Sequence, residues 1–281
     1  SFLLLPFTLI VHNANAYNGL LNFMFIYYIS FIGLFFYYFV SNPAKQVLFQ
    51  RHYLLDEAQS LKEIRSILET DVVIRSSFKK INISVDTPHF TFIPNEVYSP
   101  ANQRTYLEQV APVSNNDMIF SDEVEELSIQ NIHGVDSRLF DLLDIHFPSF
   151  HLYHSATTLL RRTRRMVGEN EIIVNVMPKT LNIIVYKNHK LQLYNSFTYH
   201  SSEAFLYYVV LMYQQFGLST TDTPLTLLGG IMPNSTIYRL LSTYIRQIKF
   251  GKRTKYYQFS PKYSTVPQQF YFDLYSLSVC E

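Results

Sequence analysis

Only one cysteine, Cys280, occurs in the chain, and tryptophan is absent. A single thiol cannot close an internal disulfide, so no disulfide framework holds the fold. Eight glycines serve 281 residues, and they do not cluster as phosphate-cradling loops require. No GxSxG, HExxH or P-loop pattern occurs. Acidic residues are missing from the first 55 positions, and no lysine or arginine precedes Lys45. The net charge is +1, which gives nucleic acid no strong field to follow.

Aromatic residues are plentiful: 23 Phe and 22 Tyr within a 48% hydrophobic composition. Flat, bulky rings suit sheets, and a chain of this length has room for two ordinary domains. The stretch "LNFMFIYYISFIGLFFYYFV", residues 21–40, has the length of a membrane-spanning helix. Its content argues otherwise. It is dominated by aromatic and β-branched residues, contains no Ala, and places Tyr27 and Tyr28 well inside where a span wants them at its ends. Gly33 interrupts it where a hairpin turn belongs. The expectation is two strands, over 23–30 and 34–40, with a third over 47–53.

A later segment repeats this order. "EIIVNVMPKTLNIIVYKNHKLQLYNSFTYHSSEAF" reads as strand 172–176, a turn at Met177-Pro178-Lys179-Thr180, strand 181–186, a polar turn, strand 191–199 and a helix. The N-terminal copy likewise runs into a helix, over 57–69. Asp56 and Ser201 are the expected caps. The later copy carries Asn175, Lys179 and Lys187 and cannot be a span, so the earlier one is expected to fold as sheet. Between the copies come strands near 81–85, 89–94 and 150–154, two short strands within 117–132, and helices near 102–110, 139–145 and 155–166. After the second copy a strand enters the Gly229-Gly230 turn. A helix capped by Asn234 then carries its apolar face out to Ile248. The fold class expected is α/β, duplicated, with each half opening on an antiparallel three-stranded unit in a mixed sheet flanked by helices. The divisions are an apolar extension over 1–21, a first half over 22–167 and a second over 168–281.

This order is similar to the actin-like ATPase superfamily, with its ribonuclease H-like halves. More narrowly, "KLQLYNSFTYHSSEAFLYYVVLMYQQFGL", "PLTLLGG" and "YRLLSTYIRQIKF" resemble an uncharacterised bacterial family, domain of unknown function 3822. That resemblance implies the fold and no activity. The superfamily's chemistry implies phosphate-holding turns at the two opening hairpins, each with an Asp and a Gly, and a Gly-Gly turn against adenosine. Here the first turn is expected at Ser30-Phe31-Ile32-Gly33, which keeps the glycine without the Asp. In the second, Asn175 stands for the acid, Met177 for the glycine, and Pro178 lacks an N–H. A neutral amide is a weak Mg²⁺ ligand. Gly229 and Gly230 match the third turn, and Lys179 is a point charge that a phosphate would attract. The nucleotide-cleft candidates are therefore Ser30, Gly33, Asn175, Lys179, Gly229 and Gly230. No catalytic residue is assigned, and ATP and Mg²⁺ find no support in the turns.

Other constellations favour plain readings. Arg161, Arg162, Arg164 and Arg165 form a basic run, expected to be a solvated helix face, or a protein contact if engaged. Asp122, Glu123, Glu125 and Glu126 are available to answer it. His146, His151 and His154 suggest no metal site, since 151 and 154 point to opposite faces of a strand. Asp141 and Asp144 sit one helical turn apart, the spacing of paired acids, but on an exposed helix face. Cys280 is expected to be inert. The leading expectation is a non-catalytic binding or scaffold protein in the cytoplasm with a protein partner. Two alternatives stay open: an ATP-using enzyme with its acids relocated to Asp86 or Asp222, and an exported or membrane-anchored domain using residues 1–20, whose Ala14-Asn15-Ala16 resembles a signal-cleavage pattern.

Overall fold

A computed structural model describes residues 26–32, 35–56 and 58–280. The chain divides into two compact units. One holds Arg162–Thr254 with Ser264–Tyr275; the other holds the described residues up to Arg161 with Lys255–Tyr263 and the segment from Ser276 onward.

In the latter unit, β1 (Ile26–Ile32), β2 (Phe35–Ser41) and β3 (Val47–Leu54) form the antiparallel opening. Residues 21–40 are thus strand wherever they are described, and no helix among the described residues is long and apolar enough to cross a membrane. Helix α1 (Ser60–Thr70) follows, then β4 (Lys80–Val85), β5 (Phe90–Pro94), α2 (Gln103–Glu108), β6 (Asp117–Val124), β7 (Ile129–Asp136), α3 (Ser137–His146), β8 (His151–His154) and α4 (Ser155–Arg164). The first sheet runs β3-β2-β1-β4-β8, with β4 and β8 parallel to β1 and to each other. A smaller antiparallel sheet, β5-β7-β6, stands apart from it. The side chains of Ile29, Phe36, Tyr38, Ile83, Val85, Leu68 and Leu143 meet in one buried layer. Burying each such side chain is worth about 1.5–3 kcal/mol, so this layer is the main stabilising term of the unit.

In the other unit, β9 (Glu171–Val176), β10 (Thr180–Lys187) and β11 (Lys190–Thr198) open antiparallel. Then come α5 (Ser202–Gln215), β12 (Leu225–Gly229), α6 (Thr236–Tyr244) and β13 (Ile248–Phe250). The sheet order is β11-β10-β9-β12-β13, with β12 and β13 parallel to β9. Alternation along β9 puts Ile172, Val174 and Val176 into the core with Phe205, Val209 and Leu227. It turns Glu171, Ile173 and Asn175 to the opposite face.

Caps explain where sequence reading erred. Ser201 does cap α5, accepting from Ala204 N at 3.1 Å. Asp56 does not cap α1: its carboxylate accepts from Ala58 N at 2.8 Å, and α1 begins three residues later than expected, at Ser60. Ser235 rather than Asn234 caps α6, accepting from Tyr238 N at 3.2 Å. That helix ends at Tyr244, so Ile248 belongs to β13.

Candidate functional site

Asn175, Gly229 and Gly230 are brought together at the end of β9. In the ladder Asn175 lies between Asn182 of β10 and Leu228 of β12. Gly229 has φ of +76°, and a Cβ there would stand 2.4 Å from Val176 O and 2.8 Å from Asn175 Oδ1. Only glycine fits this approach of turn to strand. The turn's donors are engaged within the protein. Gly230 N donates to Val176 O at 2.8 Å, Gly229 N to Gln269 O at 3.0 Å and Ile231 N to Gly229 O at 3.0 Å. Gln269 Nε2 clamps the same turn by donating to Ile231 O at 2.7 Å.

The β9–β10 turn is engaged at Met177. Met177 N donates to Thr180 O at 3.0 Å, Pro178 has no N–H, and Tyr199 OH donates to Met177 O at 2.7 Å. Lys179 is exposed at its rim, and its carbonyl accepts from Tyr199 N. Asn175 and Asn182 are each 1% exposed, and neither carboxamide has a hydrogen-bond partner. Two adjacent buried amides left this way cost stability.

Gly33 lies outside the described residues. Ser30 to Ile32 were expected in the first turn, but they continue β1, with Ser30 pairing Tyr37 and Ser84, because the aromatic run keeps pairing to its end. Asp86 follows β4 and accepts from Ser155 Oγ; burial pushes its carboxyl up to about 6, against that bond. Asp222 sits exposed before β12, where the hydroxyls of Ser219 at 2.7 Å and Thr221 at 3.0 Å hold its pKa below the usual range.

The arginine run does not act as one solvated face. Arg161 reaches β6 and donates from Nε to Glu123 O at 3.2 Å, so it meets the acidic stretch through the main chain. Arg162 lies 5.9 Å from the Phe272 ring centroid, with its pKa lowered by burial and by Arg165. Arg164 is half-buried and Arg165 exposed. His146 Nδ1 bonds Leu142 O at 2.8 Å, His151 is exposed and His154 fully buried. No cluster able to hold a metal exists among the described residues.

Two features within the β1-containing unit escaped sequence reading. The first is a buried polar cluster. Asp122 Oδ2 accepts from His154 N at 2.7 Å and Thr157 Oγ1 at 2.7 Å, and Asn131 Nδ2 donates to Thr157 Oγ1 at 2.9 Å. His133 Nδ1 lies 4.0 Å from the same carboxylate oxygen, and His154 packs 5.2 Å from His133. Burial raises Asp122 to about 6, lowers His133 to about 4 and, with repulsion from His133, lowers His154 to about 3. The second is a groove of about 580 Å³ between the edges of β6 and β8. Phe120, Phe140 and Phe150 form its aromatic floor, with ring centroids 5.4 and 5.8 Å apart in sequence. Asp122, Glu123, Asp144 and Arg161 also line it. These residues come from four elements that share no motif; only the acids of β6, Asp144 and the arginine had drawn notice.

Comparison with known proteins places this geometry. A family model described as "Protein of unknown function (DUF3822)" matches residues 25–248. A crystal structure from Bacteroides thetaiotaomicron, of a protein with actin-like ATPase fold and unknown function, is similar at TM-score 0.77. Its identity is 19%, and the match covers 92% of this chain and 96% of that one. The PilM–PilN complex of type IV pilus biogenesis matches at TM-score 0.58 and 10% identity, over 91% and 96% of the two chains. Ethanolamine utilization protein EutJ from Carboxydothermus hydrogenoformans matches at 0.51 and 8%, over 90% and 89%. No curated protein matches. The fold is that of the actin-like ATPases, α/β with mixed sheets flanked by helices.

Proposed function

The chain belongs to the DUF3822 family, and from that membership and its actin-like fold we propose a binding protein that holds a protein partner without turning over nucleotide. One observation carries the reading. Where the superfamily resemblance calls for an acid and for N–H groups turned to phosphate, this chain has the buried amide of Asn175, and the N–H groups of Gly230, Gly229 and Met177 already bond Val176 O, Gln269 O and Thr180 O. A triphosphate with Mg²⁺ needs oxygen ligands carrying charge, and its phosphates need donors that are available. Neither Asp86, tied to Ser155, nor the exposed, hydroxyl-bound Asp222 supplies what Asn175 lacks.

We read the two five-stranded sheets as copies of one unit, divided at about residues 167 and 168 of the chain. The shared strand order, the same alternation of antiparallel and parallel pairs, and a helix after each third strand support this. A protein partner is favoured by the net charge of +1 and by the likeness to a chain of the PilM–PilN pilus biogenesis complex, itself an assembly of two proteins. The cytoplasm is the proposed compartment; were residues 21–40 a span instead of strands, Lys45 and Arg51 after it would favour the same side. Calorimetric titration of the full chain with Mg·ATP tests the reading. The expected result is no Mg²⁺-dependent binding heat and no phosphate release; tight Mg²⁺-dependent binding together with released phosphate would overturn it.

A further inference from the structure

The edges of β6 and β8 face one groove, and they are not equivalent. On β6, Arg104 Nη2 donates to Asp117 O at 2.9 Å, and the Arg161 guanidinium donates to Glu123 O, so side chains cap that edge at both ends. On β8 the ladder to β4 uses one edge only. At its far end His154 N is taken by Asp122. Among the described residues no strand lies beyond β8, and residues 150–153 make no other main-chain bond. A strand edge that lines a groove is a template for another strand.

The groove's chemistry selects among strands. Its floor is aromatic, from Phe120, Phe140 and Phe150. Its exposed charges are Glu123 and Asp144, whereas its one lining cation, Arg161, is turned onto the main chain of β6. An occupant therefore does best with apolar side chains on alternate positions and cationic ones between them.

We propose that β8 receives an extended segment of a partner protein, added as a sixth strand to the β3-β2-β1-β4-β8 sheet. Its apolar residues rest on the three phenylalanines, and its Lys or Arg residues meet Glu123 and Asp144. This rests on the binding-protein reading above and specifies the partner's chemistry. Alternate residues of a strand face the same edge, and His154 N is turned outward to Asp122, so Leu152 is the residue of β8 whose N–H and C=O set the register of the added strand.

The test pans a display library of random peptides against the full chain and measures the enriched peptides by fluorescence anisotropy. The expected sequences alternate apolar with basic residues. Their affinity should fall about tenfold on the double substitution Glu123→Lys and Asp144→Lys, both at exposed side chains. It should fall at least as far when alternate peptide nitrogens are methylated, because strand addition depends on main-chain donors. A melting curve checks that the double variant stays folded. Enriched peptides indifferent to both changes, or a library yielding no groove-dependent binder, overturn strand addition. Neither result touches the non-catalytic reading, which falls instead to Mg²⁺-dependent binding and hydrolysis of ATP.

Discussion

Asp71 shows how one side chain can bind several elements. It ends α1, and its Oδ2 accepts from Tyr38 OH at 2.8 Å, Tyr53 OH at 2.6 Å and Arg51; Oδ1 accepts from Val73 N at 2.8 Å. Burial raises its pKa, but the tyrosine hydroxyls and Arg51 outweigh that and hold it below the usual carboxylate range. A depressed acid contributes stability above its unfolded pKa and loses it as pH falls through the folded value. Asp71→Ala should cost about 3 kcal/mol at neutral pH, read from urea unfolding, because it strands a half-buried guanidinium and two hydroxyls. The difference from the native protein should shrink in strong acid.

The cluster around Asp122 titrates with two opposite signs. A carboxyl raised to about 6 favours the folded state below its unfolded pKa, and that advantage is lost as pH rises through 6. Histidines lowered to about 4 and about 3 favour it above about 6.5, and that advantage is lost as pH falls through those values. The windows overlap between pH 4 and 6 and oppose each other. Asp122→Asn should therefore lose less stability, relative to the native protein, at pH 7.5 than at pH 4.5. His133→Phe should gain relative stability as pH drops below 6. Chemical denaturation across pH checks both, and parallel curves would contradict them. Sequence could not show this cluster, since β6, β7, β8 and α4 supply it from separate stretches.

Elements were the most legible level. Aromatic and β-branched runs marked β1 to β3 and β9 to β11, and Ser201 marked the start of α5, because these signals are local. Boundaries set by competition were not legible. Ser235 displaced Asn234 as a cap, and the apolar spacing of α6 ran on into Ile248, which a strand uses instead. The small sheet β5-β7-β6 was read as strands without a partner order, since pairing is a long-range choice. At the β12 turn, Gly229→Ala should destabilise by about 1–3 kcal/mol, the cost of a left-handed φ with a side chain, plus the clash with Val176 O. Asn175 and Asn182 make the opposite prediction. Replacing both with Leu should leave the melting temperature unchanged or raised, because two orphaned amides are removed together. A large fall would mean that the pair has partners of its own.

On the scale of the whole molecule, the chain does not divide at a single point: Lys255–Tyr263 and Ser276 onward group with the unit that opens on β1. Val47 N donates to Gln258 O at 3.0 Å, and Phe39 packs edge-on against Tyr257 at 5.1 Å, so the returning segment completes that unit. No local signal in "TKYYQFSPKYS" announces such a return. That the turns singled out by the resemblance carry no acid was visible at once in the sequence; the engaged N–H groups of Met177, Gly229 and Gly230 were visible only in three dimensions. The claim joining the two is that this actin-like fold binds without hydrolysis. Phosphate release from ATP with excess Mg²⁺, followed over hours for the native chain and for Asn175→Asp, addresses it most directly. The account predicts release at the rate of buffer alone for both. Mg²⁺-dependent turnover by the native chain, abolished by Asp86→Asn, would contradict it.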